Sequence, residues 1–465
     1  MLTEALVTIF TLFCFLVYKI KRKSKYWAEN GIPFVRMDMF GGSIGMKDVI
    51  FKKRHILDVM KEHYHLFPTE SVYGIYSLTK PTLVIKDPEI VRQIFVKDFN
   101  SFTDRDPSDR LDKTFGTKRD TDTYWRHQLT SLSGDKWKDV RSTFSPVFTS
   151  GKMKLMMKFI QANSWKLVDE FEKVGADGSD VELKEVFGKY SMDTIASCAF
   201  GVDAGSFDDE NSPFVGNAAR FFRFSLADGL KIIGAQIIPG LDKIYDMLNI
   251  NVFKPKETKF FVDAIRKTIK QRRATKERRN DLIDLMLDAM NEEFTPSSEN
   301  SEGLDQYDQD MKLEHVSKIK EFDEKTIVST AMVVMAAGYD TTALTLAFAA
   351  FELAKQPEIQ TRLQAEIDEA FACSNGKMPD YNTIQSLPYL DQVVHETLRI
   401  HPVFNMTRTC VVPEYKVPGS DYVIKQGQRV IINVSGIHSD PNYYPNPDHF
   451  NPEHFSKEAK TARSP

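Results

Sequence analysis

From Ile327 to Phe351 the sequence carries a single charge, Asp340. Wound as a helix, the stretch from Thr326 to Lys355 is about 45 Å long, the width of a large domain. Asp323 and Glu324 favour its start, and Pro357 limits its continuation. A helix apolar on every side has to be buried, in a large core or in a membrane. Its centre breaks the pattern with Ala337-Gly338-Tyr339-Asp340-Thr341-Thr342. Glycine here costs about 1 kcal/mol relative to alanine, and it lets a bulky group approach the backbone. The Thr341 hydroxyl can reach the carbonyl one turn back and loosen the helix. A buried Asp has to be paired, hydrated or protonated. Three readings follow: a core helix with a polar blemish, a membrane span with a functional Asp, or a distorted helix over a ligand or cofactor, with Asp and Thr handling protons.

The 465 residues suffice for two or three domains. A net charge of -4 gives no reason to expect nucleic acid as a partner. The 33 phenylalanines suit a large apolar interior or pocket. Cys14, Cys198, Cys373 and Cys410 lack the spacing of a zinc site or a redox pair. Such sparse usage fits a reducing compartment without a disulfide framework.

Ala5 to Tyr18 is uncharged, and Lys19, Lys21, Arg22, Lys23 and Lys25 follow. No small-residue cleavage site separates the two, and basic residues stay on the cytoplasmic side. Residues 1–25 therefore read as an uncleaved membrane anchor and 26–465 as a cytosolic body. Val72–Ser77 and Thr82–Ile85 read as a hairpin split by Lys80-Pro81. Pro88–Val96 reads as a helix opened by Asp87. Gly134-Asp135 caps a helix in which Trp137 and Arg141 share a face. That pair is either a surface aromatic–cation contact or a carboxylate site built from an indole N–H and a guanidinium fork. Residues 152–290 read as mostly helical, with an apolar stretch, Phe214–Val252, interrupted at Gly234 and Pro239. This stretch suits core, a cavity lid or a membrane-dipping surface. The basic run Arg266–Arg279 suits a solvated face or a docking surface for an acidic partner, and Asn291–Lys325 a polar surface loop. Tyr389–Ile400 is a helix whose Glu396 and Arg399 share a partly buried face with Leu390, Val393, Val394 and Leu398. Strands at Tyr422–Ile424 and Arg429–Val434 lead into a proline-rich meander, His438 to Phe455.

In this order the pieces resemble a microsomal cytochrome P450, in the clan of vertebrate family 3 and insect families 6 and 9. The resemblance rests on Trp137 with Arg141, the Ala337–Thr342 motif, Glu396-Thr397-Leu398-Arg399, Arg408 ahead of Cys410, and the meander. Each is weak alone; the ordered set is specific. The resemblance implies a mainly α fold with small β-sheets (α+β) and a haem b monooxygenase acting on lipophilic small molecules. It implies NADPH-cytochrome P450 reductase as partner, cytochrome b5 as an optional one, and the endoplasmic reticulum membrane as location. Trp137, Arg141 and Arg408 would hold the haem propionates. Ala337 and Gly338 would let the long helix pass close over the haem. Asp340 and Thr341 would relay protons to dioxygen there. Glu396 and Arg399 would form a structural network beneath.

The sequence departs from the family twice. His454 stands where the network usually has an Arg, so a weaker or altered network is expected. The family's Phe-x-x-Gly-x-x-x-Cys-x-Gly loop, source of the iron's thiolate, is not reached, so no metal ligand is assigned in this chain and the axial Cys is expected beyond Pro465. Two alternatives stay open: a truncated, haem-free relative that binds without turnover, and a two-span membrane protein without enzyme activity.

Overall fold

The structure is a computed structural model that describes residues 17–18, 20–38, 42–77, 79–105, 120–209, 212–223, 225–238, 240–251, 254–275, 278–279, 281–290 and 323–463. Cys14, Pro239, residues 1–16 and 19 of the expected anchor, and 291–322 of the expected 291–325 loop lie outside the described residues.

In chain order the main elements are helix α1 (Ile56–His65), strands β1 (Val72–Ser77) and β2 (Lys80–Ile85), and helix α2 (Pro88–Arg92). Then come α3 (Gly134–Phe144), α4 (Ser150–Asp177) and α5 (Leu183–Ile195). They are followed by α6 (Pro213–Phe222), α7 (Leu226–Ile237), α8 (Leu241–Met247), α9 (Pro255–Thr275) and α10 (Leu282–Met290). The long helix is α11 (Glu324–Lys355), succeeded by α12 (Pro357–Cys373) and α13 (Pro388–Ile400). The chain continues through β3 (Met406–Thr409), β4 (Glu414–Lys416), β5 (Val423–Lys425), β6 (Arg429–Ile432) and the short helix α14 (Val434–His438). The expected class, mainly α with small β-sheets, is the one observed.

The larger sheet has the order β1-β2-β6-β3, and β4 pairs with β5 in a separate hairpin. The β1–β2 turn falls at Thr79, whose φ is 67°, rather than at Lys80-Pro81. Those two residues lie inside β2, opposite Ser77 and Tyr76. Pro81 is tolerated there because the parallel register with β6 begins only at Thr82, opposite Arg429. The last strand also ends earlier than expected. The Asn433 side chain accepts the Gly436 N–H at 3.0 Å and caps α14, so Val434 is helical rather than extended.

Two helices widen into π turns. The helix expected over Pro88–Val96 is α-helical only to Arg92 and π-wound over Gln93–Lys97. Helix α5 ends in a π segment, Ala196–Phe200, closed by Gly201 at φ 58°. In α9 the basic run is not wholly solvated. Arg272 is 6% exposed and binds Asp284 at 2.9 Å and Asp281 at 2.6 Å, fixing α9 to the start of α10. Such a buried guanidinium needs both carboxylates to offset its desolvation.

Asp323 opens α11 by accepting the Thr326 N–H at 2.7 Å. The first half of α11, Ile327 to Met335, is buried with Phe261, Ile265 and Ile269 of α9 and Leu282 and Ile283 of α10 in the main core. Among the described helices it alone is long and apolar enough to cross a membrane. Its packing against α5, α9 and α13 makes it instead the central helix of a globular body. A second core lies under the sheet and includes Trp27, Leu83, Ile85, Phe102 and Val430. Trp27 lies flat over β1, where a Cβ at Gly74 would overlap its ring. Gly74→Ala should therefore cost about 2 kcal/mol through displacement of the indole. Urea unfolding followed by tryptophan fluorescence checks this, and an unchanged midpoint would contradict the packing argument.

Candidate active site

Beyond its buried first half, α11 presents an open line to one side. Ala337 is exposed and Thr341 half-buried, and Thr345 and Phe348 continue the line at helical spacing. Leu344, Thr345 and Phe348 line a cavity of 420 Å3 shared with His55, Val403 and His438. The Thr341 hydroxyl donates to the Ala337 carbonyl at 2.6 Å and the Thr345 hydroxyl to the Thr341 carbonyl at 2.9 Å. These back-bonds do not break α11, which stays α-helical throughout. On the other side, a Cβ at Gly338 would lie 2.8 Å from Ile195. The close approach that Gly338 permits here is thus by α5, a partner the sequence did not suggest. The Asp340 carboxylate also turns to α5, where Lys184 Nζ lies 3.2 Å away. Asp340 and Thr341 are adjacent in sequence, yet the helix separates their directions by about 100°.

The expected carboxylate-binding residues approach from two other elements. Trp137 on α3 lies 5.8 Å from the Phe99 ring, and the Arg408 guanidinium on β3 lies 5.4 Å from the same ring. Arg141 follows Trp137 one turn along α3. One residue explains the convergence. The Asp104 carboxylate accepts the Gly134 N–H at 3.1 Å, and its carbonyl accepts the Thr409 N–H at 2.6 Å. Asp104 therefore ties the first turn of α3 to the end of β3. Nothing in its local sequence marks that task.

Below lies the network around Glu396, which is 0% exposed. Arg399 grips it with Nε and one terminal nitrogen, both at 2.7 Å, and the Asn451 N–H donates at 2.8 Å. Arg399 also donates to the carbonyls of His438, Pro447 and His449. His454 does join the network, with Nδ1 3.1 Å from Glu396 and Nε2 2.8 Å from the Pro445 carbonyl. As expected, it supplies one contact to the carboxylate where a guanidinium fork would supply two. The face that carries the pair is buried, as expected in part, and includes Val393, while Val394 and Leu398 lie on the opposite side of the helix and are exposed. Sequence reading also missed His401. It stacks on Phe348 at 4.1 Å and lies 2.9 Å from the buried Glu352 carboxylate, joining α13 to the open line of α11.

Three cysteines lie among the described residues. Cys198 is buried near the Met156 carbonyl, and burial pushes its thiol up to about 11. Burial likewise raises the Cys410 thiol, which donates to the Val412 carbonyl. A metal-binding thiolate needs the reverse shift. Cys373 is exposed at the end of α12.

A family model described as cytochrome P450 matches residues 49–465. The chain belongs to the cytochrome P450 family. It is 34% identical to cytochrome P450 6k1 of Blattella germanica, over 99% of this chain and 84% of that protein. It is 31% identical to cytochrome P450 6B2 of Helicoverpa armigera, over 97% and 82%. It is 32% identical to cytochrome P450 3A29 of Sus scrofa, over 85% and 71%. These relatives match the clan that the motifs pointed to. The protein is a haem b monooxygenase, and its family works with a reductase that supplies electrons from NADPH and acts on lipophilic substrates.

The residues present fit the haem. The Trp137 indole N–H and the Arg141 and Arg408 guanidinium groups are donors of the kind that two carboxylates would take, and the small, exposed Ala337 leaves room for a flat group. When bound, haem would supply the redox chemistry that activates dioxygen, and the chain would hold and orient it.

Two measurements follow. Glu396→Gln leaves Arg399 buried with an uncharged partner and should cost about 3–5 kcal/mol in urea unfolding; a loss under about 1 kcal/mol would deny the network its structural role. Burial pushes the His438 imidazole down to about 4. The unfolded chain therefore binds this proton first, and stability should fall as pH drops from about 6.5 towards 4. His438→Asn should flatten that limb, and identical pH profiles for both proteins would refute the assignment.

Proposed function

We propose that this P450 inserts one atom of dioxygen into a lipophilic small molecule bound between α11 and the α6–α8 region, at the endoplasmic reticulum membrane and on its cytosolic side. The observation that carries the reading is the open line of α11, where the Thr341 hydroxyl stands while the neighbouring Asp340 carboxylate is turned to α5. Thr341 Oγ1 donates to the Ala337 carbonyl here; by turning to the open side it can give its proton to an acceptor there and take one back from water, which is a general acid's task. Asp340 is held one residue away on Lys184, as the charged member of the pair. Trp137, Arg141 and Arg408 bind the haem carboxylates, and the Glu396–Arg399–His454 network holds the segment beneath. Electrons arrive from NADPH through a reductase, with cytochrome b5 as an optional donor.

Residues 1–25 act as the membrane anchor and 26–465 as the catalytic body. A second contact with lipid supports the location: Leu226, Leu230, Ile238, Ile244, Met247 and Leu248 are exposed on and around α7 and α8. Glutamates at Leu230 and Met247 together should weaken binding of a chain lacking residues 1–25 to phospholipid vesicles by on the order of tenfold, given about 0.8 kcal/mol per buried CH₂. Equal sedimentation with vesicles would remove this surface from the membrane contact.

Thr341→Ala in the haem-loaded full-length protein should preserve the haem spectrum while NADPH consumption continues with less product. Loss of roughly 10²-fold in product yield is the scale of a lost proton-transfer group. Unchanged coupling across several substrates would remove Thr341 from proton delivery.

A further inference from the structure

Helix α5 meets α11 along one line of its surface. Lys184, Gly188, Ser191 and Ile195 recur at helical spacing and share a face. All four meet the same turn of α11. Ile195 occupies the space a side chain at Gly338 would need. Gly188 makes room for the Tyr339 ring, whose hydroxyl would lie 3.3 Å from a Cβ there. Ser191, 2% exposed, donates its hydroxyl to the Tyr339 carbonyl at 2.8 Å, with the Gly188 carbonyl as a second acceptor at 3.2 Å. Lys184 Nζ lies 3.2 Å from Asp340 Oδ1.

The Ser191 bond is of an uncommon kind. A carbonyl inside an α-helix keeps a second lone pair after its ladder bond, and a hydroxyl of another helix uses it here. The bond falls on the residue immediately before Asp340 and Thr341, so it fixes the rotation of α11 where that rotation decides which way both side chains face. The Lys184 ammonium then fixes the direction of the carboxylate itself. Neither residue lines the 420 Å3 cavity.

We propose that Lys184 and Ser191 are positioning residues for the Asp340–Thr341 pair, Ser191 through the Tyr339 carbonyl and Lys184 through the Asp340 carboxylate. This rests on the proton-handling role proposed above. A misplacement of about 1 Å at a reacting group is enough to matter.

The test uses Ser191→Ala, Lys184→Met and Lys184→Arg, with Thr341→Ala as reference. Two readouts are taken: amide hydrogen exchange over 338–345, with and without haem, and product formed per NADPH consumed by the haem-loaded full-length protein. Ser191→Ala should speed exchange in that segment about fivefold, the equivalent of one typical hydrogen bond. Lys184 is half-exposed, so Lys184→Met leaves the fold intact. It should lower product per NADPH roughly threefold, as loss of a partly exposed ion pair allows, and Lys184→Arg should restore it with KM unchanged. If neither exchange nor coupling changes in Ser191→Ala and Lys184→Met while Thr341→Ala still uncouples, the positioning role is overturned and the monooxygenase reading stands. If Thr341→Ala itself leaves coupling intact, the proton-handling reading fails; the exchange data still decide whether α5 fixes this turn.

Discussion

A carboxylate sealed from water has to be surrounded by donors, and the Glu396 site meets that demand with pieces from two parts of the chain. Arg399 comes from its own helix, while the Asn451 N–H and His454 come from the proline-rich segment after α14. Because Arg399 also takes the carbonyls of His438, Pro447 and His449, a segment with little ladder hydrogen bonding acquires a fixed course. Prolines restrict that course but cannot anchor it. The buried ion pair does, and removal of Arg399 would leave both an uncompensated Glu396 charge and a set of orphaned carbonyls.

Above this base the site is assembled from elements that share no local sequence signal. Helix α3 brings Trp137 and Arg141, β3 brings Arg408, and Asp104 links the two elements by bonding to both ends. Helix α11 contributes a surface with two faces. One is open along Ala337 and Thr341; the other closes on α5 through Gly338, Tyr339 and Asp340. The glycine thus serves helix–helix packing, and the small Ala337 leaves the open face unobstructed.

The parts legible in the sequence were those whose physics is local. A long apolar run with an Asp cap, the β1–β2 hairpin and the spacing of Glu396 and Arg399 all follow from patterns a few residues wide. Failures came where tertiary context overrode pattern. Lys80-Pro81 looked like a turn but entered a strand, because its neighbour β6 begins pairing one residue later. Arg272 looked like one of a solvated series until two aspartates closed on it. Lys184 and Ser191 gave no signal, since a lysine and a serine on a helix are unremarkable until the partner helix is known.

The larger sheet also bears on how the protein is made. Strand β2 is completed by β6, so Thr82–Ile85 waits for Arg429–Ile432. At a synthesis rate of about 5–20 residues per second, that interval lasts tens of seconds on the ribosome. Throughout it, the hairpin exposes an apolar edge with unpaired N–H and C=O groups, the arrangement most prone to pairing with a neighbouring chain. Biogenesis of this protein therefore carries an interval of vulnerability set by strand order alone, which a chaperone at the exit site or an early docked membrane surface would shorten in effect by covering that edge.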